Sequence, residues 1–180
     1  MVRVDSLREV LRDSTRELHD ALDGMLAPLA DGDRYSEFLA IQHAARLPIE
    51  DWFDAENDVL SPPSQTGLIA TDLATLRVGP SRNSPRFCPQ SSAEAIGIAW
   101  VLAGSSLGNR VILRRRKAFD GGTATCFLAD DAMPSFWNAL RPRLERPANE
   151  RDAECALAGA RRTFEHFLSV AGDNTSKLAA

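Results

Sequence analysis

The apolar positions of this chain are densest between Ala93 and Lys117, where they occupy nearly every side of a helical wheel. A helix that is apolar all round is typically buried among several neighbours. The positions are Ile96, Ile98, Trp100, Val101, Leu102, Leu107, Val111, Ile112 and Leu113. Ser91 and Glu94 have the spacing of a capping box at the start, and the basic residues 114–117 suit the dipole at the end. The pattern predicts one long central helix.

Three glycines, Gly97, Gly104 and Gly108, interrupt this predicted helix. Each costs roughly 1 kcal/mol relative to alanine in a helix interior. Two reasons could keep them: another helix packs closely on the backbone, or a flat ligand lies directly against the main chain. Because ligand sites are few per protein, the stretch by itself favours helix packing.

Helical spacing also marks the N-terminal region. Ser6 and Glu9 form a second possible capping box. The apolar positions that follow are Leu7, Val10, Leu11, Leu18, Ala21, Leu22 and Met25. Gly24 and Pro28 end the pattern, so one amphipathic helix is predicted here.

A polar stripe runs beside the apolar face of this first helix. Arg12, Arg16 and His19 are separated by four and three residues, so they lie on one side of consecutive turns. Neutral imidazole is a common metal ligand and guanidinium groups bind carboxylates, so the stripe would suit a ligand carrying both a metal and carboxylates. The alternative is a solvated helix face with an incidental histidine.

A further helix can begin at Asp33, a suitable N-cap. Its apolar positions are Tyr35, Phe38, Leu39, Ile41, Leu47, Ile49, Trp52 and Phe53. Pro48 within it predicts a kink or a break. A loop at 61–64, a short helix and an irregular segment over 79–90 are expected next. The short helix is predicted from Leu68, Ile69, Leu73 and Leu76.

Two more helices are predicted in the C-terminal third. Asp130 or Asp131 can start the first, with Pro134 in its first turn. Asn149 can cap the second, which is expected to end near Gly172.

The fold class predicted from these patterns is all-α, because the one strand candidate, 123–128, has no partner to pair with. We expect a single helical domain over 1–172 and a disordered tail over 173–180.

Composition narrows the function classes. A net charge of −4 with 26% charged residues argues against general nucleic-acid binding. No window approaches the length of a membrane span and no secretory leader is visible, so a cytoplasmic protein without membrane insertion is expected. Cys88, Cys126 and Cys155 lack metal-site spacing and are expected to be free thiols. Nucleotide-binding and hydrolase motifs are absent from the sequence.

Two segments carry a resemblance to a known family. LRDSTRELHDALD (11–23) and GIAWVLAGSSLGNRVI (97–112) resemble the two signature segments of the heme oxygenases, especially the bacterial biliverdin-forming branch. The order of the other helices fits as well. The resemblance implies a single-domain helical fold with heme between the first helix and a kinked, glycine-rich distal helix.

The resemblance also implies roles for individual residues. His19 falls on the axial iron ligand, and Arg16 and Arg12 fall on the basic residues that pair with the heme propionates. Arg141 is the best match for a further propionate partner.

On the distal helix, Gly104 and Gly108 match the family's distal glycines. Ser105 lies where some members support a distal water network. These three residues are expected to serve catalysis, and Trp100 offers an indole donor near the heme edge.

Departures from the family pattern fall on the distal helix. Bacterial relatives often show YVLEGS and LGGR, where this chain has Trp100 in place of the tyrosine, Ala103 in place of the glutamate and Asn109 in place of a glycine. The changes at Ala103 and Asn109 motivate an alternative function, a non-catalytic heme or bilin carrier or sensor. A structural helical interaction domain without a ligand is a third possibility.

The function that the resemblance implies is oxygen- and electron-dependent cleavage of heme to biliverdin, iron and carbon monoxide. Heme would be both substrate and cofactor, with electrons from an external reductant. The implied partners are an electron-donor protein, such as a ferredoxin or a reductase, and possible delivery of biliverdin to a phytochrome.

Overall fold

The computed structural model describes residues 5–56, 59–80, 84–147 and 149–178. This part of the chain contains eight α-helices and no strand, which confirms the all-α prediction. The helices are α1 (Leu7–Ser14), α2 (Arg16–Ala30), α3 (Tyr35–Ala55), α4 (Thr66–Thr75), α5 (Ala95–Asp120), α6 (Cys126–Ala129), α7 (Ala132–Leu144) and α8 (Glu150–Leu178).

Helices α5 and α8 form the centre of the fold, and two glycines let their backbones touch. A Cβ on Gly97 would overlap the carbonyl oxygen of Ala156, and a Cβ on Gly159 would overlap that of Glu94. Helices α1, α2 and α3 pack on α8, while α6 and α7 pack on α5. For Gly97, therefore, close helix packing is the reason for the glycine.

The predicted first helix is two helices. Its capping box is present, since Ser6 Oγ accepts from Glu9 N and Glu9 Oε2 accepts from Ser6 N. The helix then breaks at buried Thr15, whose hydroxyl donates to Leu11 O at 2.8 Å. Such back-bonding competes with the backbone ladder and bends helices. The second half, α2, passes through Pro28 to Ala30, so Pro28 does not end it.

The capping box predicted before the central helix is absent. Ser91 makes no capping bond, and a short 3₁₀ turn over Ser92–Glu94 leads into α5. The buried Glu94 carboxylate instead accepts from Gln90 N at 2.8 Å and from Arg162 Nε at 2.9 Å. The prediction was wrong because a partner on α8 engages this carboxylate.

Carboxylates cap three of the helices, and two of them, Glu50 and Asp72, are distant in sequence from the helix that they cap. Glu50, Asp72 and Asp130 accept hydrogen bonds from the first backbone amides of α4, α6 and α7 respectively. Asp130 thereby confirms the predicted start of α7. At 123–128 the strand candidate is wrong, because Asp72 caps α6 there and the segment turns into a helix.

The second predicted helix begins differently from the expectation. Asp33 lies in a 3₁₀ turn over Gly32–Arg34, and α3 starts at Tyr35 without a side-chain cap. Pro48 does not break α3, which continues to Ala55.

At the C-terminus, Asn149 caps α8 as predicted, accepting from Asp152 N at 2.9 Å. The helix does not end near Gly172 but continues to Leu178, so 173–178 is helical rather than irregular. A single glycine costs a helix only about 1 kcal/mol, and the preceding residues Val170 and Ala171 are buried. Residues 179–180 lie outside the described part.

The segment from α4 to residue 90 and the three cysteines agree with the sequence-based expectations. The short helix is present as α4, and residues 79–80 and 84–90 have no regular structure, while 81–83 lie outside the described residues. Cys88, Cys126 and Cys155 are free thiols.

The expectation that no window approaches the length of a membrane span was wrong. The helical stretch Ser92–Phe119 reaches a mean hydropathy of 1.4 and is long enough to span a bilayer by length and composition alone. It is apolar because it carries the core contacts to α6, α7 and α8. Core helices of this kind pass the same test, so the observation is weak evidence for a span.

Candidate functional site

His19 lies on the outer surface of α2, one turn after the break at Thr15. Its side chain is 56% exposed, and its Nδ1 faces two carboxylates, Asp20 and Asp23, at 3.6 Å each. The carboxylates occupy the surroundings of one ring nitrogen. A carboxylate near Nδ1 favours the tautomer with the proton on that nitrogen. Nε2 is therefore the ring nitrogen available to bind a metal.

Phe164 of α8 connects His19 to the central helix. Its ring makes edge contacts with the His19 ring, at a centroid distance of 6.0 Å, and with the Trp100 ring of α5, at 6.4 Å. Helices α2 and α5 both pack on α8. The side chain of Phe164 thus lies between α2 and α5, with His19 on one side of it and Trp100 on the other.

A surface that we call the open face of α5 extends from Trp100 along one side of the helix; it comprises Trp100, Gly104, Leu107, Gly108 and Val111. The spacing of these positions places them on one side of successive turns. Leu107 is 59% exposed and Val111 is 41% exposed, which is unusual for large apolar side chains on the central helix.

The glycines of α5 differ in what they face. A Cβ on Gly104 would meet only Trp137 of α7, at 4.0 Å, and a Cβ on Gly108 would have nothing within 4 Å. Gly97, on the same side of the helix, touches the backbone of α8. Helix α8 therefore covers this side of α5 at Gly97 and leaves it about two turns later. Packing does not account for Gly104 and Gly108, and the alternative left open by the sequence, a flat ligand against the backbone, fits them.

Ser105 is exposed beside the open face, but its hydroxyl is engaged. The Oγ donates to Leu102 O at 2.7 Å and accepts from Arg46 Nη2 at 2.8 Å. A hydroxyl has one proton and two lone pairs, so one lone pair remains for a further donor such as water. Ser105 is thereby held as a hydrogen-bond acceptor.

Arg46 of α3 is a residue that the sequence did not single out. Its side chain is 1% exposed, its Nε donates to Gln42 Oε1 at 3.1 Å, and its guanidinium lies over the rings of Phe127 and Phe167. Burial lowers the pKa of Arg46 to about 10, so the group stays charged at neutral pH. A basic residue within the apolar positions of α3 was the signal that could have found it.

The predicted carboxylate-binding arginines lie on the surface near the helix break. Arg12 and Arg16 are both exposed and bond Asp13 Oδ1 at 3.0 and 2.9 Å. Hydrogen bonds from Arg12 and then Arg16 lower the pKa of Asp13, and the same pairing raises the pKa of Arg12. Three charges, two positive and one negative, therefore lie within two turns of His19.

Arg141 is not brought into this cluster. It lies exposed on α7, and its Nε is 4.0 Å from Glu145 Oε1 on the same helix. The structure thus joins His19, Trp100 and the glycine face through Phe164, and it adds Arg46 behind Ser105, but it shows no contact of Arg141 with any of these residues.

Two of the three departures on the distal helix, Ala103 and Asn109, are buried. Ala103 is 0% exposed and Asn109 is 7% exposed, so neither lies on the open face. These changes affect the packing of α5 rather than the surface that a ligand would contact.

Comparison with known proteins finds similarity both in sequence and in structure. No protein-family model matches the chain. A heme oxygenase of Xanthomonas campestris pv. campestris (strain 8004) is 35% identical over 85 residues, covering 44% of this chain and 52% of that protein. The match therefore spans about half the length of this relative.

The structural match covers nearly all of both chains. The crystal structure of the NO- and CO-bound heme oxygenase of Neisseria meningitidis aligns with a TM-score of 0.74 and 21% sequence identity, over 95% of this chain and 92% of that one. The chain has this fold, and the resemblance to heme oxygenases drawn from its sequence is confirmed.

Proposed function

We propose that this protein is a heme oxygenase, which cleaves heme to biliverdin, iron and carbon monoxide with oxygen and externally supplied electrons. The observation that carries the proposal is the open face of α5, which begins at Trp100, across Phe164 from His19, and combines exposed apolar side chains with uncovered glycine backbone. A porphyrin is flat and largely apolar and carries an iron atom and two carboxylates, and this surface offers a partner for each of those parts.

In this proposal His19 binds the iron through Nε2. Asp20 and Asp23, 3.6 Å from Nδ1, place negative charge beside that nitrogen and so favour the tautomer that carries its proton there. An Nδ1 proton that faces carboxylates makes Nε2 more basic, so the ring donates electrons to iron more strongly than an imidazole without such neighbours.

The glycines define where the plane of the substrate lies. Gly104 and Gly108 let the ring approach the main chain of α5, while Leu107 and Val111 cover its apolar surface and exclude water. Trp100 and Phe164 line the inner end, next to His19. Bound heme supplies the redox chemistry, and the protein supplies orientation and hydrogen bonding through Ser105.

Arg12 and Arg16 are the proposed propionate partners. Both now share Asp13, so a propionate would either join that cluster or replace the carboxylate in it. Arg141 stays a proposed further partner on α7. An electron-donor protein such as a ferredoxin or a reductase, and a phytochrome as acceptor of the bilin, stay predictions.

The rival function is a heme or bilin carrier on the same fold. The residues that motivated it, Ala103 and Asn109, are buried away from the open face, so the structure gives this alternative no added support. The open glycine face suits heme binding in either function, and the enzyme is the better proposal because the similar proteins are heme oxygenases.

The test is spectroscopic. Hemin added to the protein should give a Soret band, and a reductant in air should convert that band to biliverdin absorption. His19→Ala should lose the histidine-ligated spectrum in both oxidation states, and added imidazole should restore it. Heme binding without biliverdin formation, with a competent reductant present, would favour the carrier. A protein that ignores hemin would contradict both functions.

A further inference from the structure

Arg46 carries a buried positive charge whose side chain lacks a close anionic partner. In the described part of the chain no carboxylate oxygen lies within 4 Å of the guanidinium, and its buried Nη1 has no hydrogen-bond partner. Two acids, Glu50 and Asp130, act on it electrostatically from further away. A charge held in this way is costly, so a compensating interaction is expected nearby.

The two acids are committed to other groups. Glu50 accepts from the backbone of α4 and from the hydroxyls of Ser64 and Thr66. Asp130 accepts from Gln65 Nε2 and from the first amides of α7. Because both carboxylates stabilise helix starts, they neutralise Arg46 only in part.

Ser105 connects this charge to the open face. Arg46 Nη2 donates to Ser105 Oγ at 2.8 Å, and Ser105 directly follows Gly104 and lies three residues before Gly108. The hydroxyl proton is given to Leu102 O, so Ser105 Oγ binds Arg46 as an acceptor and holds the cation beside the distal helix.

We propose that the positive field of Arg46, which Ser105 holds beside the distal helix, gives the distal side of the heme site a preference for negatively charged ligands. The inference rests on the proposed heme binding and adds a ligand preference to it. A fixed positive charge behind the distal helix favours any anion at that position and leaves a neutral ligand unaffected.

Gln42→Glu is the sharpest test, because it places a carboxylate on Arg46 without changing the side-chain shape. Gln42 Oε1 already accepts from Arg46 Nε at 3.1 Å, so the new carboxylate pairs with the cation and cancels its field. In the ferric hemin complex at neutral pH, the affinity for azide should fall by about tenfold, while the affinity for neutral imidazole stays within twofold of wild type. The melting temperature of the apoprotein should be unchanged or raised, because a buried cation gains a partner.

Arg46→Gln is the second variant, since it removes the charge and keeps a donor for Ser105. It should show the same selective loss of azide affinity. Arg116→Met is the matched control: Arg116 is also buried on the central fold, donating to Gly32 O, but it lies eleven residues beyond Ser105 on α5. That variant should bind azide as wild type does.

The outcomes separate the two levels of the proposal. A wild-type protein without a Soret band on hemin addition contradicts the proposed function. A wild-type Soret band together with unchanged azide affinity in folded Gln42→Glu contradicts the role of Arg46. Equal losses of azide and imidazole affinity, or a lowered melting temperature in Gln42→Glu, would show a structural role and would also contradict the inference.

Discussion

At the scale of single residues, the sequence predicted the polar side of the candidate site but not its inner side. His19, Arg12 and Arg16 are visible because they share one helix and a regular spacing. Phe164 and Arg46 reach the site from α8 and α3, and a contact between distant segments leaves no periodic signal in one sequence. Asp13 was missed as well, although it is the group that holds both arginines.

The arginine pair provides a prediction at this scale. Arg12→Ala combined with Arg16→Ala should weaken hemin binding by about tenfold at most, because ion pairs between exposed charges are favourable but weak. The measurement is a hemin titration followed at the Soret band. Arg8→Ala is the matched control, since Arg8 is an exposed arginine of α1 paired with Glu145, and it should bind hemin as wild type does. Equal hemin affinity of the double variant and the control would mean that Arg12 and Arg16 belong to a solvated helix face and do not contact heme.

At the scale of elements, the position and type of most helices followed from the hydrophobic pattern, while their ends depended on partners elsewhere. Thr15 divides the first helix, and Glu94 turns to Arg162 instead of capping α5 with Ser91. The glycines of α5 show the same limit. Their positions predicted that something approaches the backbone, but only the packing of α8 shows that Gly97 meets a helix and Gly108 meets none.

This difference predicts opposite effects of the same substitution. Gly97→Ala should destabilise the apoprotein by about 2 kcal/mol or more, because the added carbon overlaps the backbone of α8 and the two central helices must separate. Gly108→Ala should stabilise the apoprotein by about 1 kcal/mol, because the new methyl group meets open space and alanine favours the helix. Thermal or urea unfolding of both variants measures the two signs.

Gly108→Ala should have opposite effects on the stability of the apoprotein and on its affinity for hemin. If the porphyrin lies against this backbone, the methyl group weakens hemin binding in the very variant whose apoprotein is more stable. A less stable Gly108→Ala apoprotein would mean that this side of α5 is covered, and unchanged hemin affinity would remove Gly108 from the site.

At the scale of the whole molecule, the all-α class was predictable because every long apolar run has helical spacing, and the resemblance added the arrangement of the helices. What the sequence could not give is the set of polar groups that the packing buries. His166 is buried, and its Nε2 forms a hydrogen bond with Ala45 O at 3.0 Å. His43 is buried too, and its Nδ1 has no hydrogen-bond partner in the described part of the chain.

These two histidines predict how stability depends on pH. Burial lowers the pKa of His166 and of His43 in the folded protein, whereas both should have a pKa near 6.5 when unfolded. At a pH between the folded and the unfolded pKa values, the unfolded chain binds more protons than the folded one. The free energy of unfolding is therefore highest above about pH 6.5 and falls as the pH drops through the folded pKa values. Each histidine contributes a slope of at most about 1.4 kcal/mol per pH unit. The carboxylates with lowered pKa, Asp13 and Glu37, act only at more acidic pH, where their own ordinary values lie.

Urea unfolding at pH 7.5, 6.5 and 5.5, at constant ionic strength, measures this dependence. Wild type should be less stable at pH 5.5 than at pH 7.5. His166→Gln retains a donor for Ala45 O but does not titrate, so its unfolding free energy should change less over the same range. A variant with the full wild-type dependence would show that protonation of His166 is not what acid acts upon, and a wild type equally stable at both ends would show that neither buried histidine resists its proton in the folded state.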